Sequence, residues 1–312
     1  AVGASGVTWR EDLARWAASV ALAVLLGPLT LRLVVLRGRP LGRLLDNAIF
    51  LSATAGAFAV INVAILAFVL RAHNALQVGF VELMYGDLRP FAEQTRFGIA
   101  FLVTLIGFAV VALFAMLAWT LDRPKLLWGS FGCGVVLASS FSLSGHQATE
   151  PNSSAAAQLA DWAHLVAGSV WAGGVLALAA LVWPLAPELR RAAFLGFSRI
   201  AVGLVAVLIL AGTYLAIVRL PELTDLWETT YGQTLLVKLA VVALALGWGG
   251  AHHVLVRPRL ERGHVPAGVG RSLVGESTVA MAVLLVAAIL VNGSPPPPTG
   301  DSVSAGSPVA SR

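Results

Sequence analysis

Residues 97–121, FGIAFLVTLIGFAVVALFAMLAWTL, run for 25 positions without a single Asp, Glu, Lys or Arg. An α-helix rises about 1.5 Å per residue and the hydrocarbon core of a bilayer is about 30 Å thick, so about 20 apolar residues cross it. Seven more segments of this kind flank it, at 14–36, 47–70, 126–145, 162–183, 199–218, 234–256 and 274–292. The 312-residue chain is 58% hydrophobic and only 12% charged, more apolar surface than one water-soluble core can hide. The expected fold is an all-α integral membrane protein with eight transmembrane helices.

The formal charge of +5 is distributed as topology dictates. Arg37, Arg39 and Arg43 follow the first span, Arg123 and Lys125 the third, Arg190 and Arg191 the fifth, and Arg257, Arg259, Arg262 and Arg271 the seventh. The loop after the fourth span holds no Lys or Arg, and Arg71, Arg89, Arg96 and Arg219 only soften the bias elsewhere. Basic loops stay in the cytoplasm, so both termini and the loop at 146–161 are expected outside. Basic character of this pattern is a membrane signature, and no nucleic-acid partner is expected; the contacts are with membrane lipids. Cys133 is the single cysteine, which excludes an intramolecular disulfide. The chain opens Ala-Val-Gly with neither Met nor a signal peptide, as expected of a mature or excised segment.

Two short echoes point to an internal repeat. Thr95-Arg-Phe-Gly98 and Thr229-Thr-Tyr-Gly232 each precede a span, 134 residues apart, and Asp12-Leu-Ala-Arg15 is echoed by Asp161-Trp-Ala-His164. The expected organisation is two parallel four-helix halves, 1–145 and 146–292, with a disordered Pro/Ser-rich tail at 293–312. Parallel repeats place substrate sites between the halves.

His146 ends the fourth span and His164 opens the fifth, on opposite sides of a loop short enough to keep those spans adjacent. Asp161 shares a helical face with His164 at i, i+3, and Trp171 continues that face. Ionisable groups at the mouth of a membrane bundle are functional candidates by default. Imidazole suits copper, zinc, iron and nickel, and a carboxylate adds an oxygen ligand or fixes the ring tautomer. The competing reading makes the histidines hydrogen-bonded anchors and Asp161 a charge stabilised at a helix N-terminus. Trp171 is equally explained by packing. Lys238 and Glu276 lie at opposite depths, which argues against direct pairing. Each serves a transport route or snorkels. His252 and His253 read as a solvated inner helix end, with an exit point as the alternative. Cys133 is about 20 Å from His146 along a helix and takes no part. His73 and Met84 join an outer site only if the loop after the second span folds over it. No nucleotide-binding or HExxH element occurs.

Ser144-Gly-His146, Asp161-x-x-His164-Leu-x-Ala-x-x-Val-Trp-x-Gly-Gly174, Phe197-Ser-Arg199, Thr230-Tyr-Gly232 with Lys238, and Glu276 together resemble the copper resistance protein D (CopD) family. The resemblance spans the second half of the chain. It implies an eight-span protein of the bacterial inner (plasma) membrane engaged in copper import, with no enzymatic step. Copper would be bound at His146 and His164 with Asp161 beside them, while Tyr231, Trp171, Lys238 and Glu276 support the path. A CopC-like periplasmic copper-binding domain or protein is the implied partner. His252-His253 stands where the family pattern leads one to expect Asn-Arg. Two other functions fit the same histidines: a membrane redox protein with a two-His b-type haem, and a non-transporting scaffold for docking or assembling copper proteins.

Overall fold

The computed structural model describes residues 9–76, 82, 85–86, 89–143, 154–220 and 222–292. Among these there is no strand, and seven helices are long and apolar enough to cross a membrane. They are α1 (Trp9–Thr30), α2 (Arg43–Leu76), α4 (Arg96–Thr120), α7 (Ala155–Ala177), α8 (Arg190–Arg219), α10 (Thr230–Ala251) and α11 (Val269–Asn292). Short helices α3 (Arg89–Gln94) and α9 (Asp225–Glu228) precede α4 and α10. The chain is an all-α, multi-pass membrane protein.

The expected fourth span is α5 (Leu127–Leu137) followed by α6 (Ser139–Leu143), separated at Ala138. Ser139 Oγ donates to the Val136 carbonyl at 2.6 Å and Ser140 Oγ to that of Leu137 at 2.7 Å. Side-chain capture of carbonyls three residues back competes with the helix ladder and bends it. The rest of the expected span, Ser144 to His146, and the tail at 293–312 lie outside the described residues.

Small residues bring the two innermost helices together. The most apolar windows of α1 and α7 are 67% and 61% buried, against 11% for α8 and α10. A Cβ on Gly173 would lie 2.7 Å from the Ala23 carbonyl carbon and nearer still to its oxygen, and one on Gly27 would meet the Gly173 backbone. Only hydrogen fits at these crossings, and close backbone approach of this kind drives helix association where lipid offers no hydrophobic gradient. Trp16 Nε1 donates to the Met281 carbonyl at 3.1 Å and Trp162 Nε1 to that of Val135 at 2.9 Å, tying α1 to α11 and α7 to α5. On the outer helices Val202, Ile209, Leu210, Ile217, Val237 and Leu244 are exposed, as faces in contact with lipid should be.

Three spans run into π-helical turns: α1 into Leu31–Val35, α7 into Leu178–Val182 and α10 into His252–Val256. These segments lie toward the same end of the bundle, where Leu31, Leu178, Leu189 and Leu260 share one core cluster. Arg191 ties that end together by donating to the Leu260 carbonyl at 2.7 Å, and Arg32 pairs with Asp46 at 2.8 Å. The Thr-x-aromatic-Gly echo is cap chemistry at both positions. Thr95 Oγ1 accepts from Gly98 N at 2.9 Å and Thr229 Oγ1 from Gly232 N at 3.0 Å, satisfying amides that the first helical turn leaves free.

Candidate functional site

His164 lies deeper in its helix than the sequence indicates. Ser154 caps α7, its Oγ accepting from Ala157 N at 3.1 Å, so Asp161 falls in the second turn and His164 beyond it. The helix-terminus account of Asp161 therefore gives way to a specific partner: Arg219 of α8, with its Nη2 3.5 Å from Asp161 Oδ1. Both side chains are largely covered, at 13% and 20% exposure. Arg219 is a residue that sequence reasoning assigned only to the charge bias.

The imidazole of His164 occupies a notch on α8 left by a glycine. A Cβ on Gly212 would stand 3.1 Å from His164 Cε1 and 3.5 Å from Nδ1, so any larger residue presses on the ring. Nδ1 is buried and has no hydrogen-bond partner. Leaving a buried polar atom unsatisfied costs about 1–3 kcal/mol, and such atoms in native proteins call for a bound ion or another explanation. Lys238, Asp161 and Arg219 act electrostatically on the ring, the Leu208 backbone of α8 lies close enough to interact with it, and Arg15 of α1 also interacts with Asp161. Charged groups from α1, α7, α8 and α10 thus converge near the end of the bundle where α1, α7 and α10 begin.

The other candidates divide between packing and a second locus. His146 and Met84 lie outside the described residues, and His73 is exposed near the end of α2. Tyr231 is buried with Leu235 and Leu290. Trp171 packs with Ala23, Ala245 and Leu284. Cys133 is half-buried on α5. Among the described residues no three His, Cys, Asp or Glu side chains are grouped to hold a metal ion.

The second locus corrects the reading of His252. His252 is only 7% exposed and Glu276 only 5%, so neither belongs to a solvated helix end. His252 Nδ1 lies 2.7 Å from Glu276 Oε2, and its Nε2 lies 2.7 Å from Ser272 Oγ. Trp248 Nε1 donates to the same Ser272 oxygen at 3.0 Å. His253 points elsewhere, 3.3 Å from Ser198 Oγ and 3.4 Å from Arg257. His252, His253, Glu276 and Ser198 border a cavity of about 310 Å³ between α8 and α10, whose other walls include Trp171, Val175 and Phe197. Two ionisable groups at matching depth on successive spans were the available signal.

The sequence profile described as "Copper resistance protein D" matches residues 191–290. The chain is 30% identical over 293 residues to the protein named "Copper resistance protein D" from Pseudomonas syringae pv. tomato, an alignment covering 89% of this chain and 92% of that one. The chain belongs to the CopD family. It is also 29% identical over 231 residues to "Copper transport protein CutJ" from Bacillus subtilis (strain 168), covering 68% of this chain. This CopD-family chain spans only 40% of that longer relative. No solved structure matches it.

Proposed function

We propose that this protein carries copper inward across the bacterial inner membrane, taking it at an outer site made by His146 and His164 with Asp161 alongside. The observation that supports the reading is the buried Nδ1 of His164, a ring nitrogen without a hydrogen-bond partner in a notch where Gly212 leaves room for the ring. Copper is the cargo, and imidazole nitrogen with carboxylate oxygen is a donor set that copper accepts. Membership of a family whose relatives are named for copper resistance and copper transport supports the choice of metal.

Asp161 contributes through charge. It is already held by Arg219, so it neutralises one of the cations surrounding His164 and leaves the outer site less hostile to a metal ion. With both termini external, a CopC-like copper-binding domain or protein delivers the ion to His146 and His164. The two four-helix halves, related through the Arg15 and His164 positions, then move against one another about the α1–α7 crossing to pass it inward.

Copper binding by the purified protein tests the site. The wild type should bind copper, and His164→Ala should lose at least about tenfold in affinity, as expected for removal of a ligand from a small site. Unchanged binding by His164→Ala would refute the assignment.

A further inference from the structure

We infer that His252 and Glu276 form a proton-binding site in the cytoplasmic third of the membrane, and that its proton is the coupling ion of transport. The coupling half of the inference rests on the copper-transport reading; the proton site itself does not.

The argument begins with depth and enclosure. Glu276 is seven residues beyond the first residue of α11, about 10 Å along the helix. With His252 it is covered on the side by Phe194, whose ring meets the imidazole edge-on with centroids 5.8 Å apart. Isolated ionised carboxylates in such surroundings are costly, and ionisable groups inside membranes mark ion or proton pathways.

The charges facing the pair are few. From α8 the cavity wall is Phe194, Phe197 and Ser198; from α7 and its π turn it is Trp171, Val175 and Leu178. Among the described residues, the ionisable ones bordering the cavity are His252, His253 and Glu276. Arg257 lies beside His253 but is engaged by Glu261 at 2.9 Å, while Arg199 and Arg271 are exposed. No other cation balances Glu276 at close range among the described residues, so a proton on the pair is the available counter-charge.

The hydrogen bonds accommodate both states. With the proton absent, Ser272 O–H donates to His252 Nε2 and His252 Nδ1–H donates to Glu276. With it present, both ring nitrogens donate, and Ser272 Oγ accepts from His252 and Trp248 together. Serine has one donor and two acceptor positions, so neither state leaves a ring nitrogen unsatisfied. Gain and loss of one proton therefore change the charge of the α10–α11 contact while its bonds are kept. The π turn at His252–Val256 sets this geometry by altering the helical register at its first residue. Such turns often accompany functional sites.

Infrared difference spectra of the protein in lipid nanodiscs, recorded across pH 5 to 9, test the proton site. A carboxyl or imidazole signal should titrate in the wild type and vanish in both Glu276→Gln and His252→Asn, with α-helix content retained. Absence of a titrating signal, or its persistence in both variants, overturns the site. Copper accumulation in proteoliposomes with the membrane potential clamped then tests coupling. One-proton coupling shifts the accumulated copper ratio by about tenfold per imposed pH unit, and Glu276→Gln should abolish that dependence. A wild-type ratio indifferent to the pH difference overturns coupling. Failure of the wild type to move copper at all overturns the transport reading and coupling with it, while the infrared result still decides the proton site.

Discussion

Gly173→Ala should destabilise the protein more than any ordinary alanine replacement on these helices. The added methyl would stand 2.7 Å from the Ala23 carbonyl carbon and closer to its oxygen, whereas unstrained carbon contacts lie at about 3.5–4.0 Å. The obstacle is backbone, so no rotamer change relieves it; α1 and α7 must separate by about 1 Å. A gap of 0.5–1 Å already forfeits about a quarter to a half of each dispersion contact along the seam. Since these are the two most buried helices, the cost should reach about 3 kcal/mol, the upper end for overpacking. With an unfolding entropy of about 2.1 cal/mol/K per residue, the midpoint of a 312-residue chain should fall by roughly 4–5 °C. Cys133 supplies the assay, because a thiol-reactive fluorophore reports its exposure on heating. Gly203→Ala, where an added Cβ meets nothing within 4 Å, is the control and should hold or slightly gain stability. Equal midpoints for Gly173→Ala and Gly203→Ala would refute the close-crossing account.

Gly212→Ala should weaken copper binding without loss of fold, since its methyl would press on the His164 ring; binding isotherms beside a thermal scan check this. On a Cys133→Ala background, Ser153→Cys should be labelled from outside intact cells and Arg262→Cys only after permeabilisation, and the reverse pattern would invert the topology. Thr229→Ala should cost about 1 kcal/mol through loss of the α10 cap, read as a lower unfolding midpoint.

The spanning segments were legible because a membrane demands long apolar runs and little else. Seven appear as long helices, and the fourth differs because Ser139 and Ser140 interrupt the ladder, an effect that a hydropathy sum does not carry. The Thr-x-aromatic-Gly element was visible as a repeat, yet its local cause is the same N-cap formed twice. Around His164, sequence spacing brought Asp161 and His164 to one helix face but could not supply Arg219 or the Gly212 notch, which come from α8. At the opposite end of the bundle, His252 and Glu276 were individually conspicuous. Their pairing was missed because Glu276 was weighed against Lys238, while the π turn that places His252 has no simple sequence signature.

Copper uptake into sealed vesicles, measured for the wild type, His146→Ala, His164→Ala and the double variant, tests the central claim most directly. Ligands of one site act as a unit, so either single variant should lose nearly as much uptake as the double. Normal uptake by either single variant, or no uptake by a folded wild type, would contradict the proposed copper site and path.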